Sequence, residues 1–175
     1  MTVKAVLWDF GGVITSSPFE AFSRFEESNE LPKDFIRQVN STNPESNAWA
    51  QLESSQIDVE AFDLLFASEA RSLGQDVSGS QVLALLSGEL RPEMIQALKI
   101  IKSKMKIGCI TNNVKSRDKD AEPTEKSTAV SEVMTLFDVV IESSKVGIRK
   151  PDPEIYKLAC REMGIEPGDA LFLDD

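Results

Sequence analysis

Apolar residues recur along the chain in two rhythms. The stretch Val3 to Trp8 (VKAVLW) is a short apolar run followed by Asp9 and by Gly11-Gly12, the pattern of a buried strand ending in a tight turn. Three later runs read the same way: Lys106 to Thr111 (KIGCIT), Asp138 to Glu142 (DVVIE) and Ala170 to Leu173 (ALFL). Helical periodicity accompanies them. Arg91-Pro92 opens one helix with proline in its first turn, and Met94, Ala97, Leu98 and Ile101 form its apolar face. Asp152-Pro153 opens another, with Ile155, Leu158, Ala159 and Met163 as its stripe and Gly164 as its stop. Strands alternating with helices imply parallel pairing, so the expected fold is α/β with a doubly wound parallel sheet.

From about Pro18 to Gly88 this alternation gives way to amphipathic helix patterns alone. One carries Phe19, Phe22 and Phe25, and a second starts at Asn43-Pro44 and carries Trp49 and Leu52. A third runs from Asp58 toward Gly74, and a fourth holds Val82, Leu85 and Leu86. The aromatic spacing is that of helix-packing core. The expected division is a core of residues 1–16 and 89–175 with a helical cap, residues 17–88, inserted after the first strand. Such an insertion projects from the carboxyl edge of the strands, where these folds bind ligands, and can serve as a lid. Lys115 to Ser127 (KSRDKDAEPTEKS) is polar and weakly patterned, which predicts an exposed loop.

The chain has 175 residues, 41% of them apolar and 27% charged, which suits one globular domain with a small subdomain. No run reaches the roughly 18 apolar residues of a membrane span, and the N-terminus has no signal-peptide layout. An intracellular and cytoplasmic protein is expected, with peroxisome and mitochondrion as the other compartments considered. A net charge of −10 repels nucleic-acid phosphates, so no nucleic-acid partner is expected. It also repels phosphate esters, so an anionic substrate would need a local cation. Cys109 and Cys160 sit in apolar patterns and are expected to be buried thiols. The absence of histidine excludes Ser-His-Asp and Cys-His catalysis and histidine-bound zinc within this chain. Chemistry must run on carboxylates, lysine, hydroxyls and hard metal ions.

Each predicted strand leads to a candidate reactive residue. The first ends at Asp9, followed by small residues whose N–H groups can turn toward an anion. The second ends in Thr111-Asn112-Asn113, the third leads to Lys150 in the loop GIRKPDPEIY, and the fourth ends in Asp174-Asp175. Parallel strands in register bring these ends to one edge. Acidic groups meeting there repel unless a cation lies between them, and an oxygen-rich site of this kind suits Mg²⁺.

Four motifs in this order, LWDFGGVIT, ITNN, VGIRKPDPEIY and LFLDD, resemble those of the haloacid dehalogenase-like hydrolases. The phrasing is similar to the N-terminal phosphatase-like domains of soluble epoxide hydrolase and of acyl-CoA dehydrogenase family proteins. The resemblance covers nearly the whole chain, with the helical stretch matching an α-helical cap. It implies a Mg²⁺-dependent phosphatase-type domain acting through an aspartyl-phosphate on Asp9. By resemblance, Thr111 and Asn112 hold phosphoryl oxygens, and Lys150 neutralises the nucleophile and the transferring group. The metal would be held by Asp9, the carbonyl of Gly11 and Asp175, with Asp174 in support. The implied partner is a small phosphorylated metabolite or a lipid phosphate.

Two departures qualify that picture. Family phosphatases carry an acid–base aspartate two residues after the nucleophile, where this chain has Gly11. The family core also continues beyond the position of Asp175, so the sequence is expected to be part of a longer polypeptide with further domains. Two other readings stay open: a non-catalytic domain of the same fold serving regulation or assembly, and a receiver-like domain phosphorylated on Asp9. The helical insertion argues against the last.

Overall fold

The computed structural model describes residues 2–114, 122 and 124–175. Four strands, β1 (Ala5–Trp8), β2 (Lys106–Thr111), β3 (Val139–Glu142) and β4 (Ala170–Leu173), form one parallel sheet in the order β3-β2-β1-β4. The register pairs Trp8 with Cys109 on one side and with Leu173 on the other, and Thr111 with Glu142. The α/β doubly wound reading therefore holds.

β1 shows why a central parallel strand needs an unbroken apolar run: all four of its residues are buried. Successive side chains point to opposite faces. Val6 and Trp8 pack with Leu98 of helix α6 (Pro92–Lys102) and Val133 of helix α7 (Glu125–Met134). Ala5 and Leu7 pack on the other face with Ile155, Ala159 and Met163 of helix α9 (Pro153–Met163). Gly108 in β2 lies where any Cβ would stand 2.8 Å from both Leu7 Cδ2 and Met163 Sδ, so only glycine lets α9 approach the sheet this closely. Cys109 and Cys160 are buried free thiols, as expected.

The cap follows β1. Helices α1 (Pro18–Ser28), α2 (Phe35–Ser41), α3 (Ala48–Glu53), α4 (Val59–Ser72) and α5 (Gly79–Ala84) share an apolar cluster of their own around Phe35, Ile36, Phe62 and Phe66. The aromatic positions are packing core: Trp49 meets Phe62 edge-on at 5.2 Å. Where the chain leaves and re-enters the sheet domain, its two linking segments run side by side. Thr15 bridges Leu90 antiparallel, Ser16 N–H donates to Glu89 O at 2.7 Å, and Arg91 N–H donates to Ile14 O at 2.9 Å.

Several local expectations need correction. α2 escaped the periodicity reading because it is only seven residues long. α3 begins at Ala48, not at Asn43-Pro44. Asn43 takes a positive φ of 50°, and Asn47 is the N-cap, its side chain accepting from Ala50 N–H at 2.8 Å. α7 lies between β2 and β3, where only a loop was expected. Its apolar contacts are sparse, with Val133 alone fully buried, so its stripe is hard to see in sequence. Glu125 to Ser127 belong to it, capped by Thr124, and Lys115 to Ala121 lie outside the described residues. The short helix α8 (Ser143–Val146) follows β3 directly. β1 starts at Ala5; Val3 is exposed.

Candidate active site

Continuing the β1–β4 ladder by one residue makes the centre of the site. Asp9 N–H donates to Leu173 O at 2.8 Å, so Asp9 and Asp174 leave the sheet side by side. The Asp9 side chain is buried, and its Oδ1 accepts from Phe10 N–H at 2.7 Å. The turn that follows contains Gly12 at φ 80°, a conformation that favours glycine. A Cβ on Gly12 would collide with the Asp175 carboxylate, so the turn and that carboxylate are in direct contact. Carboxylate oxygens of Asp9, Asp174 and Asp175 lie within 4.8 Å of one another.

Lys150 enters from the loop after α8. Its Nζ stands 2.7 Å from Asp9 Oδ2 and 3.1 Å from Asp174 Oδ1, with both members of the Asp9 pair nearly enclosed. It also lies over the Phe172 ring at 5.3 Å. Thr111, at the end of β2, is buried and faces the same cleft. The Asn112 side chain is engaged within the protein. Its Oδ1 accepts from Lys150 N–H at 2.8 Å, and its Nδ2 donates to Lys150 O at 3.1 Å. The carboxamide thus splints the Lys150 backbone, leaving the main chain of Asn112 for any contact with substrate. Asn113 is tied to β3 and α8 in the same manner: its N–H donates to Ser143 Oγ at 3.0 Å and its Nδ2 to Glu142 Oε1 at 2.9 Å.

The site opens into a cleft of about 1310 Å³ whose walls include Asp9, Thr111 and Lys150 from the sheet edge and Phe22, Trp49 and Glu53 from the cap. Glu53, which lines the cleft, and its partner Arg149 were passed over by sequence reasoning. Arg149 Nε lies 2.7 Å from Glu53 Oε2, joining cap to core. The available signal was Glu53 itself, a charge on the otherwise uncharged helix AWAQLE.

Electrostatics distinguish the members of this cluster. Burial pushes Asp9 up to about 6 from an ordinary 3.8, with Asp174 adding to the rise while Lys150 and the Phe10 N–H oppose it. Burial alone would lower Lys150, but the carboxylates of Asp9 and Asp174 outweigh it and hold the ammonium above its ordinary value. Among the described residues, the Asp9, Asp174 and Asp175 carboxylates cluster with Lys150 as the ammonium in contact with the first two, an excess of negative charge that a hard divalent cation would offset. The donor set, all oxygen and partly enclosed, fits Mg²⁺.

A pH effect follows for the metal-free protein. Asp9 holds its proton more tightly folded than unfolded, so its contribution to stability is fully present below the ordinary carboxylate value and is lost as pH rises through about 6. The Tm of the wild type minus that of Asp9→Asn, both in chelator, is therefore expected to fall from about pH 4 to about pH 7. A difference that stays flat across that range would contradict the assignment.

A family model for haloacid dehalogenase-like hydrolases matches residues 3–175. The chain belongs to this family. It is 30% identical to mouse (Mus musculus) acyl-CoA dehydrogenase family member 10 over 98% of its length and 16% of that protein's. It is 29% identical to pig (Sus scrofa) bifunctional epoxide hydrolase 2, over all of this chain and 33% of that protein. The chain thus spans between a sixth and a third of these relatives. Among solved structures, a haloacid dehalogenase family enzyme from Bacteroides thetaiotaomicron, in complex with magnesium and inorganic phosphate, superposes with a TM-score of 0.59 at 22% identity, covering 99% of this chain and 85% of that one. Among the described residues, no helix of this haloacid dehalogenase-like chain is long and apolar enough to cross a membrane.

Proposed function

We propose that this haloacid dehalogenase-like hydrolase is a Mg²⁺-dependent phosphatase-type domain with Asp9 as its nucleophile. The observation that carries the reading is the buried Asp9 carboxylate, held 2.7 Å from Lys150 beside the Asp174-Asp175 pair at the carboxyl edge of the sheet. Asp9 Oδ attacks phosphorus, the ester oxygen leaves, and water then hydrolyses the aspartyl-phosphate. This divides one hard displacement into two easier ones. Lys150 balances charge on the nucleophile and on the transferring group, while the Thr111 hydroxyl and the Asn112 main chain hold phosphoryl oxygens. Asp9, the Gly11 carbonyl and Asp175 would hold Mg²⁺, with Asp174 in support. The metal would draw charge off the transferring phosphoryl oxygens. A solved haloacid dehalogenase family enzyme of the same fold is in complex with magnesium and inorganic phosphate, which supports magnesium as the metal and a phosphate ester as the substrate.

In this reading residues 1–16 and 89–175 form the catalytic core and residues 17–88 the cap that selects the substrate, a small phosphorylated metabolite or a lipid phosphate. The protein works in the cell interior, with cytoplasm taken ahead of peroxisome and mitochondrion. It is joined to further domains in a longer polypeptide, a reading supported by the greater length of the relatives it matches. The test is turnover of an aryl phosphate with and without Mg²⁺. Turnover should require the metal and disappear in Asp9→Asn. Metal-independent turnover surviving that substitution would falsify the mechanism. Gly11 favours a second reading, a non-catalytic domain for regulation or assembly, because it provides no proton donor near the leaving group.

A further inference from the structure

The cap and the loop that presents Lys150 are joined through one carboxylate. Glu53, at the end of α3, is buried, and its Oε2 accepts from two donors of the core: Arg149 Nε at 2.7 Å and Asn112 Nδ2 at 3.2 Å. Arg149 also donates from Nη1 to Pro44 O at 2.9 Å, so one guanidinium grips the cap at two points, before and at the end of α3. Beside it, Ser55 Oγ donates to Ser144 O at 2.8 Å. Asn112 is the splint of the Lys150 backbone, and Lys150 Nζ is the partner of Asp9. A continuous path of short contacts therefore runs from the cap to the proposed nucleophile: Glu53, Asn112, the Lys150 main chain, the Lys150 ammonium, Asp9.

The same geometry rules on a tempting alternative, that Glu53 replaces the acid–base group absent at Gly11. Burial raises its pKa above the ordinary carboxylate value, although the Arg149 guanidinium and the Trp49 indole pull the other way, so only its contacts speak against that role. A carboxylate whose Oε2 accepts from a guanidinium and an amide is held as an acceptor, not as a proton donor.

We infer that Glu53 is a positioning residue, which docks the cap on Arg149 and at the same time orients Asn112 so that the Lys150 loop is fixed against Asp9. Cap closure and the seating of Lys150 are then a single event. The inference rests on the reading of Lys150 as part of the phosphoryl-transfer site, so its test has an arm independent of activity.

That arm is hydrogen exchange of the Lys150 amide, followed by NMR, in wild type, Glu53→Ala, Glu53→Gln, Asn112→Ala and the Glu53→Ala/Asn112→Ala double variant. Glu53→Ala should speed exchange at Lys150 by on the order of tenfold, as expected for an amide whose hydrogen-bond partner has lost its own anchor. Glu53→Gln keeps an acceptor oxygen and should restore most of the protection, which also covers the case in which Glu53→Ala does not fold. In the Asn112→Ala background the Glu53 substitution should add almost nothing, because the two act in series. On an aryl phosphate with Mg²⁺, Glu53→Ala should lower kcat by about tenfold with KM changed much less. Faster exchange confined to α3 with Lys150 unchanged, or additive effects of the two substitutions, would overturn the inference. Absent turnover by the wild type would count against the phosphatase reading alone, and the Lys150 amide would still decide this one.

Discussion

Lys150→Met is expected to lose on the order of 10²- to 10³-fold in turnover of an aryl phosphate, and to destabilise the protein by about 3 kcal/mol at pH 8. Both effects come from one geometry. The Lys150 and Asp9 side chains are nearly enclosed and 2.7 Å apart, so removing the ammonium leaves a buried carboxylate beside two further carboxylates, Asp174 and Asp175. Asp9 can escape the penalty only by taking up a proton, and it already tends to do so, with a value of about 6. The stability loss should therefore shrink toward pH 5, where protonation is easy, and grow toward pH 8. For a chain of this size, about 3 kcal/mol corresponds to roughly 6–12 °C in Tm. The decisive comparison is the double variant Asp9→Asn/Lys150→Met. It should recover most of the lost stability, since an uncharged pair needs no counter-charge, yet stay inactive. If Lys150→Met were as stable as wild type at pH 8 in chelator, the two groups would not form the pair described.

Gly11→Asp is expected to raise the rate on alkyl phosphates by on the order of 10²- to 10⁴-fold, the usual value of general acid–base help, with a much smaller gain on aryl phosphates. The difference arises because an alkoxide leaving group needs a proton and a phenolate does not. The backbone allows the change. Gly11 lies outside the positive-φ region that Gly12 occupies, and a Cβ built on it meets nothing within 4 Å. The substitution keeps the Gly11 carbonyl while adding a carboxyl at the mouth of the site. Parallel assays of the two ester classes, with Mg²⁺, check it. Equal gains on both would show that the aspartate acts other than as a proton donor. No gain on either would move the balance to the non-catalytic reading that Gly11 already favours.

What sequence disclosed about this site, and what it withheld, divides along physical lines. The strand ends were legible because a parallel strand buried on both faces is a continuous apolar run, and the polar residue that ends it stands out. Asp9 after the fully buried AVLW is of this kind; Asp174 follows ALFL, an edge strand that is only partly buried but has the same unbroken apolar run. Their meeting followed from parallel pairing alone. The weak helices were not legible: α2 is short, and α7 buries one side chain fully. Nor was the role of the Asn112 side chain, since an amide after a strand reads equally well as a substrate contact or a backbone splint. Glu53 was least accessible of all. It lies 59 positions from Asn112 and 96 from Arg149, and only the docking of cap on core makes its partners neighbours. Patterns local in sequence report burial and element type; they carry no information about a charge whose partner arrives through tertiary packing.

The placement of β4 beside β1 has a kinetic consequence. Lys4 and Asp169, which pair across that seam, are 165 positions apart, so β4 is synthesised long after the strand it pairs with. Contacts of such long range form late, because loop closure must precede any gain from pairing. While β4 is still awaited on the ribosome, the β1 edge is unpaired and its Val-Leu-Trp run is open to association with other chains. Asp9 at that stage has neither Asp174 nor Asp175 beside it. A nascent chain thus lacks the acidic cluster until β4 docks, and the step that covers the β1 edge is the same step that assembles that cluster.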